Sequence, residues 1–229
     1  MKKNAALSVR TVLRLCAYAA AAVLLCACGG RPERETAAAR ESVVIAIGTE
    51  PETLDPTRGW GHGNSPIVQS TLVRYTAALE FENDLAREYG LSDDGLVWTF
   101  TIRDDAYFSD GEKVTAADVA FTLETAKAAQ SAVDLSYMES ARAVNDTTVV
   151  ITLTEPTSVF LNTLASVGIV PEHAYSENYG RYPVGSGPYK FVEWRPQEQL
   201  VFEANERYYG ELPAIKRVVI VFMAEDAAL

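Results

Sequence analysis

The sequence has 229 residues and a formal net charge of −11, with 20 Lys and Arg against 31 Asp and Glu. This length allows one large domain or two modest ones, and a hydrophobic fraction of 48% is ordinary for a globular protein. The acidic balance argues against a nucleic-acid partner, which would need a basic face. It does not indicate a cationic ligand, because acidic surfaces are usually only solvated.

The first 27 residues have the pattern of an export signal. Four basic residues precede an apolar stretch, residues 15–27, which is too short to span a membrane as a helix. The stretch leads into Leu25-Cys26-Ala27-Cys28, which resembles the lipobox of bacterial lipoproteins. An ordinary secretory signal and an uncleaved anchor are the alternatives. On the lipobox interpretation, residues 1–27 are removed and Cys28 holds the exported protein to the cell-envelope membrane through a lipid.

The next segments predict a tether followed by a strand. Residues 28–41 are charged and rich in Ala, without an apolar period, which predicts a flexible tether. Residues 43–47 form a continuous apolar run dominated by β-branched side chains, which predicts a strand buried on both faces. Ser65-Pro66 then predicts the start of a helix, with Ser as cap, Pro at the first position and residues 67–73 supplying its buried face.

Between this strand and this helix lies a loop with candidate binding residues. Three glycines surround Trp60 and His62 in residues 59–64, and glycine lets a backbone approach a ligand closely. Trp60 could stack on a ligand or anchor the loop in a core. His62 could contact a ligand or a metal, or be an exposed loop residue; a lone His is a poor metal site, since such sites need three or four donors.

The central block, residues 85–124, predicts a turn, a strand, a second turn, a second strand and a capped helix. Apolar residues alternate with mixed ones over residues 96–102, after a turn that ends in Asp94-Gly95. A second turn at residues 109–113 precedes a helix that Thr115 caps, with Asp118 at the capping-box position.

The remaining chain predicts further strands and short helices. Strands are predicted over residues 148–153, 189–194, 199–204 and 216–222, and helices over residues 157–165 and from residue 223 to the end. His173, in a Pro-Glu-His turn, is interpreted as structural. Gly185-Ser186-Gly187-Pro188 lacks the Gly-Lys-Ser/Thr ending of a phosphate loop, so it is interpreted as a tight structural turn.

Several blocks together resemble the family 5 extracellular solute-binding proteins, the peptide and nickel receptors of ABC importers. They are Trp98-Thr-Phe-Thr-Ile-Arg103, Phe108-Ser-Asp-Gly111, Thr115-Ala-Ala-Asp-Val119, Leu54-Asp-Pro56 and Pro183-Val-Gly-Ser-Gly-Pro-Tyr189. The resemblance implies an α/β fold with a mixed sheet and a class II periplasmic-binding architecture. It implies an incomplete first lobe, residues 42–66 plus 182–229, and an inserted smaller domain, residues 67–181.

The resemblance also implies a function: capture of a small peptide for delivery to an ABC permease. No catalytic group, metal site or cofactor is expected, because no positioned acid, base or nucleophile stands out. The predicted ligand-binding residues are Thr49, Glu50, Trp60, Gly61, His62, Gly63 and Asn64. A nickel or metal-chelate receptor of the same family is one alternative. An exported scaffold or adhesion lipoprotein is another, and neighbouring permease and ATPase genes would argue against it.

The resemblance covers residues 43–229 but only the N-terminal half of the family pattern. A truncated chain without the second lobe is therefore expected, with a split gene or a self-sufficient half receptor as the other interpretations. Such a chain alone is expected not to bind ligand with receptor-like affinity, and to leave a sheet edge unpaired.

Overall fold

The structure is a computed structural model that describes residues 41–61, 66–130 and 133–223. Residues from Glu41 onward form a single compact unit. In the part of the chain described, no helix is both long and apolar enough to cross a membrane. The predicted signal, most of the tether, and Cys28 lie outside the described residues.

The strands are β1 Ser42–Ile47, β2 Val73–Tyr75, β3 Phe81–Asn83, β4 Ala86–Leu91, β5 Val97–Ile102, β6 Met138–Ala143, β7 Thr148–Leu153, β8 Tyr189–Arg195, β9 Gln199–Ala204 and β10 Arg217–Phe222, and the α-helices are α1 Ala116–Ala129 and α2 Phe160–Ser166.

One sheet joins the two ends of the described chain in the order β1-β10-β9-β8. β1 runs parallel to β10, with Ser42 opposite Arg217 and Ile47 opposite Phe222. β9 is antiparallel to both of its neighbours. The predicted α/β class with a mixed sheet is therefore confirmed.

β1 is a strand, as predicted, but the expectation that it is buried on both faces is wrong. Val44 is 64% exposed and Ile45 is 44% exposed. The reason is topological: among the described strands, β1 pairs only with β10 and so lies at an edge of this sheet. Its uniform apolar run resembles that of a central strand, because the sequence of a strand does not report how many neighbours it has.

A second sheet forms between β1 and β8 in sequence, with the order β4-β5-β7-β6. All of its pairs are antiparallel. The alternation in β5 is confirmed, since Trp98, Phe100 and Ile102 are buried. α1 packs against β6 and β7, so this sheet has a large apolar core of its own.

The start of α1 is fixed by a capping box, as predicted. Asp118 Oδ2 accepts hydrogen bonds from the Thr115 backbone N–H at 2.9 Å and from Thr115 Oγ1 at 2.8 Å. Its other oxygen accepts the backbone N–H of Glu172 at 3.0 Å. The cap therefore also fixes the segment that follows α2.

The helix predicted from Ser65-Pro66 is wrong. Ser65 lies outside the described residues, and residues 66–72 form bends and extended chain rather than a helix. The carbonyl of Ile67 accepts the Tyr189 N–H at 3.0 Å, and the carbonyl of Val68 accepts the Gly187 N–H at 2.8 Å. Backbone hydrogen bonding with a distant turn thus outweighs the local helix-capping pattern of Ser65-Pro66. Val68 and Leu72 are nevertheless buried, as expected.

Two groups of buried hydrophobic residues can be distinguished. The first, from Leu72 to Ile169 in sequence, surrounds the antiparallel sheet, and the second includes Leu54, Val68 and Phe202 beneath the mixed sheet. α2 belongs to the first group and begins at Phe160, later than predicted. The domain boundaries given above remain a prediction.

Candidate functional site

The candidate site lies where the parallel strands of the mixed sheet have their carboxyl ends. We call this end of the sheet the carboxyl edge, to distinguish it from the lateral edge that β1 forms. β1 and β10 are parallel and both end there, and the Met223 N–H donates to the Ile47 carbonyl at 2.9 Å. β9 is antiparallel to β10, so the turn between β8 and β9 lies at the same edge. Open α/β sheets bind ligands beyond the carboxyl ends of their parallel strands.

Glu50 connects the loop after β1 to the turn between β8 and β9. Its Oε1 accepts the indole N–H of Trp194 at 2.6 Å, and its Oε2 accepts the backbone N–H of Gln197 at 2.9 Å. Gln197 has a positive φ of 64°, which places it in the left-handed region at the turn. Both carboxylate oxygens are therefore engaged in positioning, although Glu50 is only half-buried.

An arginine and two aromatic side chains extend this edge. The guanidinium carbon of Arg181 lies 3.9 Å from the centroid of the Trp194 ring. Next to it, Tyr182 is 72% exposed and contacts Phe191 edge-on, with ring centroids 6.3 Å apart. The edge therefore combines a fixed indole, a guanidinium and an exposed phenol.

The other predicted ligand-binding residues are placed as follows. Thr49 is exposed, beside Glu50. Trp60 is half-buried and packs against the hydrophobic group beneath the mixed sheet, and its indole N–H has no hydrogen-bond partner among the described residues. Gly61 has φ of 79°, and a Cβ there would lie 3.1 Å from Pro66. His62, Gly63 and Asn64 lie outside the described residues.

The loop that carries these residues is held by buried polar groups. Asp55 Oδ1 accepts the Thr57 N–H at 2.9 Å, and Asp55 Oδ2 accepts the Tyr175 hydroxyl at 2.8 Å. Gln69 Nε2 donates to the Leu54 carbonyl at 3.3 Å and to Tyr179 at 3.2 Å. Burial raises the pKa of the Tyr179 phenol well above its usual value. It therefore stays a hydrogen-bond donor, to the carbonyl of residue 184 at 2.7 Å.

Two of the motifs that support the family resemblance are in direct contact. The Ser109 N–H donates to the Gly185 carbonyl at 2.9 Å, which ties the Phe-Ser-Asp-Gly turn to the Gly-Ser-Gly-Pro turn. His173 lies 2.8 Å from the Asp110 carboxylate and contacts Phe108 edge-on. These contacts support the structural interpretation of His173 and of the Gly-Ser-Gly-Pro turn.

A separate polar cleft of about 360 Å³ lies where Arg74, Arg103 and Tyr208 meet. At its base the Asp84 carboxylate accepts the Tyr209 hydroxyl at 2.5 Å and the Thr71 N–H at 3.0 Å. Burial raises the pKa of the Asp84 carboxyl, although these two hydrogen bonds act in the opposite direction. The arginines are paired with surface carboxylates, Arg74 with Glu82 and Arg103 with Asp105, so this cleft offers a ligand little free charge.

No group of three His, Cys, Asp or Glu side chains that could hold a metal occurs in the described part of the chain. Sequence reasoning missed Trp194 and Arg181. Trp194 lies 144 positions from Glu50, so no local pattern could reveal their hydrogen bond. The one signal that could have found them is the rule that ligands bind beyond the carboxyl ends of parallel strands, applied to every predicted loop on that side of the sheet.

Together, the mixed sheet and the loops gathered at its edge define part of a periplasmic binding protein fold. The solved structure of NikZ from Campylobacter jejuni in complex with Ni(L-His) superposes with a TM-score of 0.73 and 31% identity. The match covers 80% of this chain and 39% of NikZ.

The chain belongs to the bacterial extracellular solute-binding proteins of family 5, whose family model, described as the middle part, matches residues 80–229. Protein XP55 of Streptomyces lividans is 38% identical over 239 aligned residues, covering 98% of this chain and 43% of XP55. The probable D,D-dipeptide-binding periplasmic protein DdpA of Escherichia coli K12 is 30% identical, covering 86% of this chain and 42% of DdpA. The chain thus spans less than half the length of these relatives, and the family resemblance drawn from its motifs is confirmed.

Proposed function

We propose that this protein contributes to a solute-binding receptor of an ABC importer, and that its ligand is a small peptide. The observation that supports this most strongly is the fixed arrangement of Glu50, Trp194 and the loop after β1 at the carboxyl edge of the mixed sheet. Membership of family 5 and the D,D-dipeptide named for DdpA point to the same class of ligand.

In this proposal the protein binds its ligand and does not catalyse a reaction of it. Thr49, Glu50, Trp60 and Gly61 line one side of the ligand site, with His62, Gly63 and Asn64 completing the same loop. The half-buried Trp60 ring supplies an apolar surface for this side, and the positive φ of Gly61 lets the loop turn tightly beside it. Apolar walls with a few placed polar groups are typical of small-molecule sites.

The test is an NMR titration of the ¹⁵N-labelled chain with a mixed di- to pentapeptide library at millimolar concentration. Shift changes are expected at Thr49, Glu50, Gly61 and the Trp60 indole. Changes confined to the cleft around Arg74 and Tyr208, or no changes at all, would contradict the proposal. Glu50→Gln should weaken the response, because Gln offers one carbonyl oxygen in place of two carboxylate oxygens to hold Trp194 and Gln197.

A metal chelate is the second candidate ligand, favoured by the likeness to NikZ with Ni(L-His). Because no cluster of metal ligands occurs among the described residues, a chelator would have to supply most of the donor atoms. Ni²⁺ added with L-histidine, in parallel with Ni²⁺ alone, separates this candidate from the peptide. A response to the chelate, without one to peptides, would favour the metal ligand.

We also propose that the exported protein is anchored to the membrane by a lipid on Cys28. The support is the sequence Leu25-Cys26-Ala27-Cys28 after a basic and then apolar segment. Cys28→Ser should abolish lipid attachment and block normal processing, which fatty-acid labelling and electrophoretic mobility measure. Cys26→Ser is the matched control and should leave both unchanged. A Cys28→Ser protein that stays membrane-bound and is processed normally would exclude the lipobox.

A further inference from the structure

Arg181 lies over an aromatic ring at the candidate site, yet it belongs to none of the predicted binding segments. It ends the short 3-10 helix Tyr179–Arg181 and is exposed. Its guanidinium carbon lies 3.9 Å from the centroid of the Trp194 ring. A guanidinium stacked in this way keeps its N–H donors in the plane, where they can bind a carboxylate with two parallel hydrogen bonds.

The ring beneath Arg181 is itself fixed. Trp194 lies in β8 opposite Leu200, one of the buried residues beneath the sheet. Its indole N–H donates to Glu50 at 2.6 Å, so the ring cannot rotate without breaking this bond. A fixed platform reduces the side-chain entropy that Arg181 would lose on binding a ligand.

The charge of Arg181 is available, as far as the described residues show. None of their carboxylates lies within 4.0 Å of its guanidinium. Arg195, next to Trp194 in sequence, differs in this respect, because its Nε lies 2.9 Å from Glu193. Of these two arginines, the one that lies over the Trp194 ring therefore has its charge open to an incoming anion.

We infer that Arg181, stacked on Trp194, binds a free carboxylate of the ligand. This inference rests on the proposed function, and it specifies the ligand chemistry of the same site. A peptide C-terminus and an amino acid within a metal chelate share this carboxylate. The site should therefore prefer an acid over the corresponding amide, whichever of the two sources supplies it.

The experiment compares acids with amides. The ¹⁵N-labelled chain is titrated with Ala-Ala and with Ala-Ala-amide, and separately with Ni²⁺ plus L-histidine or L-histidinamide. The Trp194 indole and the Arg181 Nε–H signals are followed. The acid is expected to bind about tenfold more tightly than the amide, the factor that one charge-assisted hydrogen bond provides. The pair of compounds that shows this preference identifies the source of the carboxylate.

Two variants complete the test. Arg181→Lys should weaken the preference for the acid, because an ammonium group keeps the charge but can neither stack flat on the indole nor bind a carboxylate with a fork. Arg195→Lys, the matched control at the arginine next to Trp194 in sequence, should keep it. Unchanged signals elsewhere in the spectrum show that each variant is folded.

The outcomes separate this inference from the proposed function. Equal binding of acid and amide, or an unchanged preference in Arg181→Lys, overturns the role of Arg181 and leaves the receptor proposal standing. No response to any of the four probes overturns both.

Discussion

At the scale of single residues, Asp118 makes three hydrogen bonds with one carboxylate. It caps α1 through Thr115 and also accepts the backbone N–H of Glu172, and it is only 6% exposed. Asp118→Ala removes the Asp118 part of the cap and leaves three partly buried donors without this partner. We expect a loss of about 2–4 kcal/mol in the free energy of unfolding, measured by urea denaturation.

The control for this change is Asp93→Ala, at an exposed position in the turn before β5. It removes the same charge and should change the free energy of unfolding by less than about 0.5 kcal/mol. If both variants lose the same stability, the loss comes from net charge and not from the cap.

Asp84 gives a prediction about pH. Burial raises the pKa of Asp84 in the folded protein above the usual value of 3.8, so the folded protein favours the protonated form of this carboxyl. The stability that this group contributes is present in acid and is lost as the pH rises through its folded pKa. Asp84→Asn resembles the protonated form in shape and cannot ionise. We therefore expect its stability, relative to the original protein, to improve as the pH rises from about 4 to 7.

Urea denaturation at several pH values measures this difference. Asp94→Asn is the control, since hydrogen bonding from Ser92 lowers the pKa of that carboxyl. The relative stability of Asp94→Asn should fall as the pH rises through the range below about 4, and should stay level from about 4 to 7. Parallel stability curves for the original protein and Asp84→Asn would refute the assignment.

At the scale of elements, the Gly-Ser-Gly-Pro turn and residues 67–68 form one backbone-paired unit. A Cβ on Gly185 would lie 2.1 Å from the Val68 carbonyl oxygen, so the two segments would have to separate. Gly185→Ala is expected to cost about 2–4 kcal/mol, from overpacking and from loss of the bond between Gly187 N–H and Val68.

Gly90→Ala in β4 is the matched control, because a Cβ there meets nothing within 4 Å. Its effect on the free energy of unfolding should stay within about 0.5 kcal/mol. Thermal unfolding of both variants checks this. A Gly185→Ala protein as stable as Gly90→Ala would show that the turn can move away from Val68 at little cost.

These elements also show what the sequence could predict. β5 and α1 were predictable because alternation and the capping box are patterns that can be recognised within a few consecutive residues of the sequence. The chain at residues 66–72 was not, because its partner is the turn at Gly187. At the site, Glu50 was found from its position after β1, whereas the stacking of Arg181 on Trp194 depends on three segments that only the fold brings together.

At the scale of the whole molecule, the edge of β1 opposite β10, which pairs with no other described strand, is the exposed feature with the clearest consequence. The strand reads Ser-Val-Val-Ile-Ala-Ile and contains neither charge nor proline, the usual protections of an edge. We expect the purified chain to associate at high concentration. Val44→Lys should reduce this association in sedimentation velocity, since Val44 is 64% exposed. Val144→Lys, at a 57% exposed position between β6 and β7, should not.

The affinity of the chain for ligand also depends on the whole molecule. The chain spans 43% of the length of XP55 and 42% of that of DdpA, and small-molecule sites bury most of the ligand surface. The edge that holds Glu50 and Arg181 supplies one wall, where water still screens polar contacts. We therefore expect this 229-residue chain to bind mixed di- to pentapeptides, or Ni²⁺ with histidine, more weakly than micromolar in calorimetry. The same calorimetry on Val44→Lys separates weak binding from loss of sites to association. A micromolar or tighter complex formed by a monodisperse monomer would show that this wall alone is a working receptor.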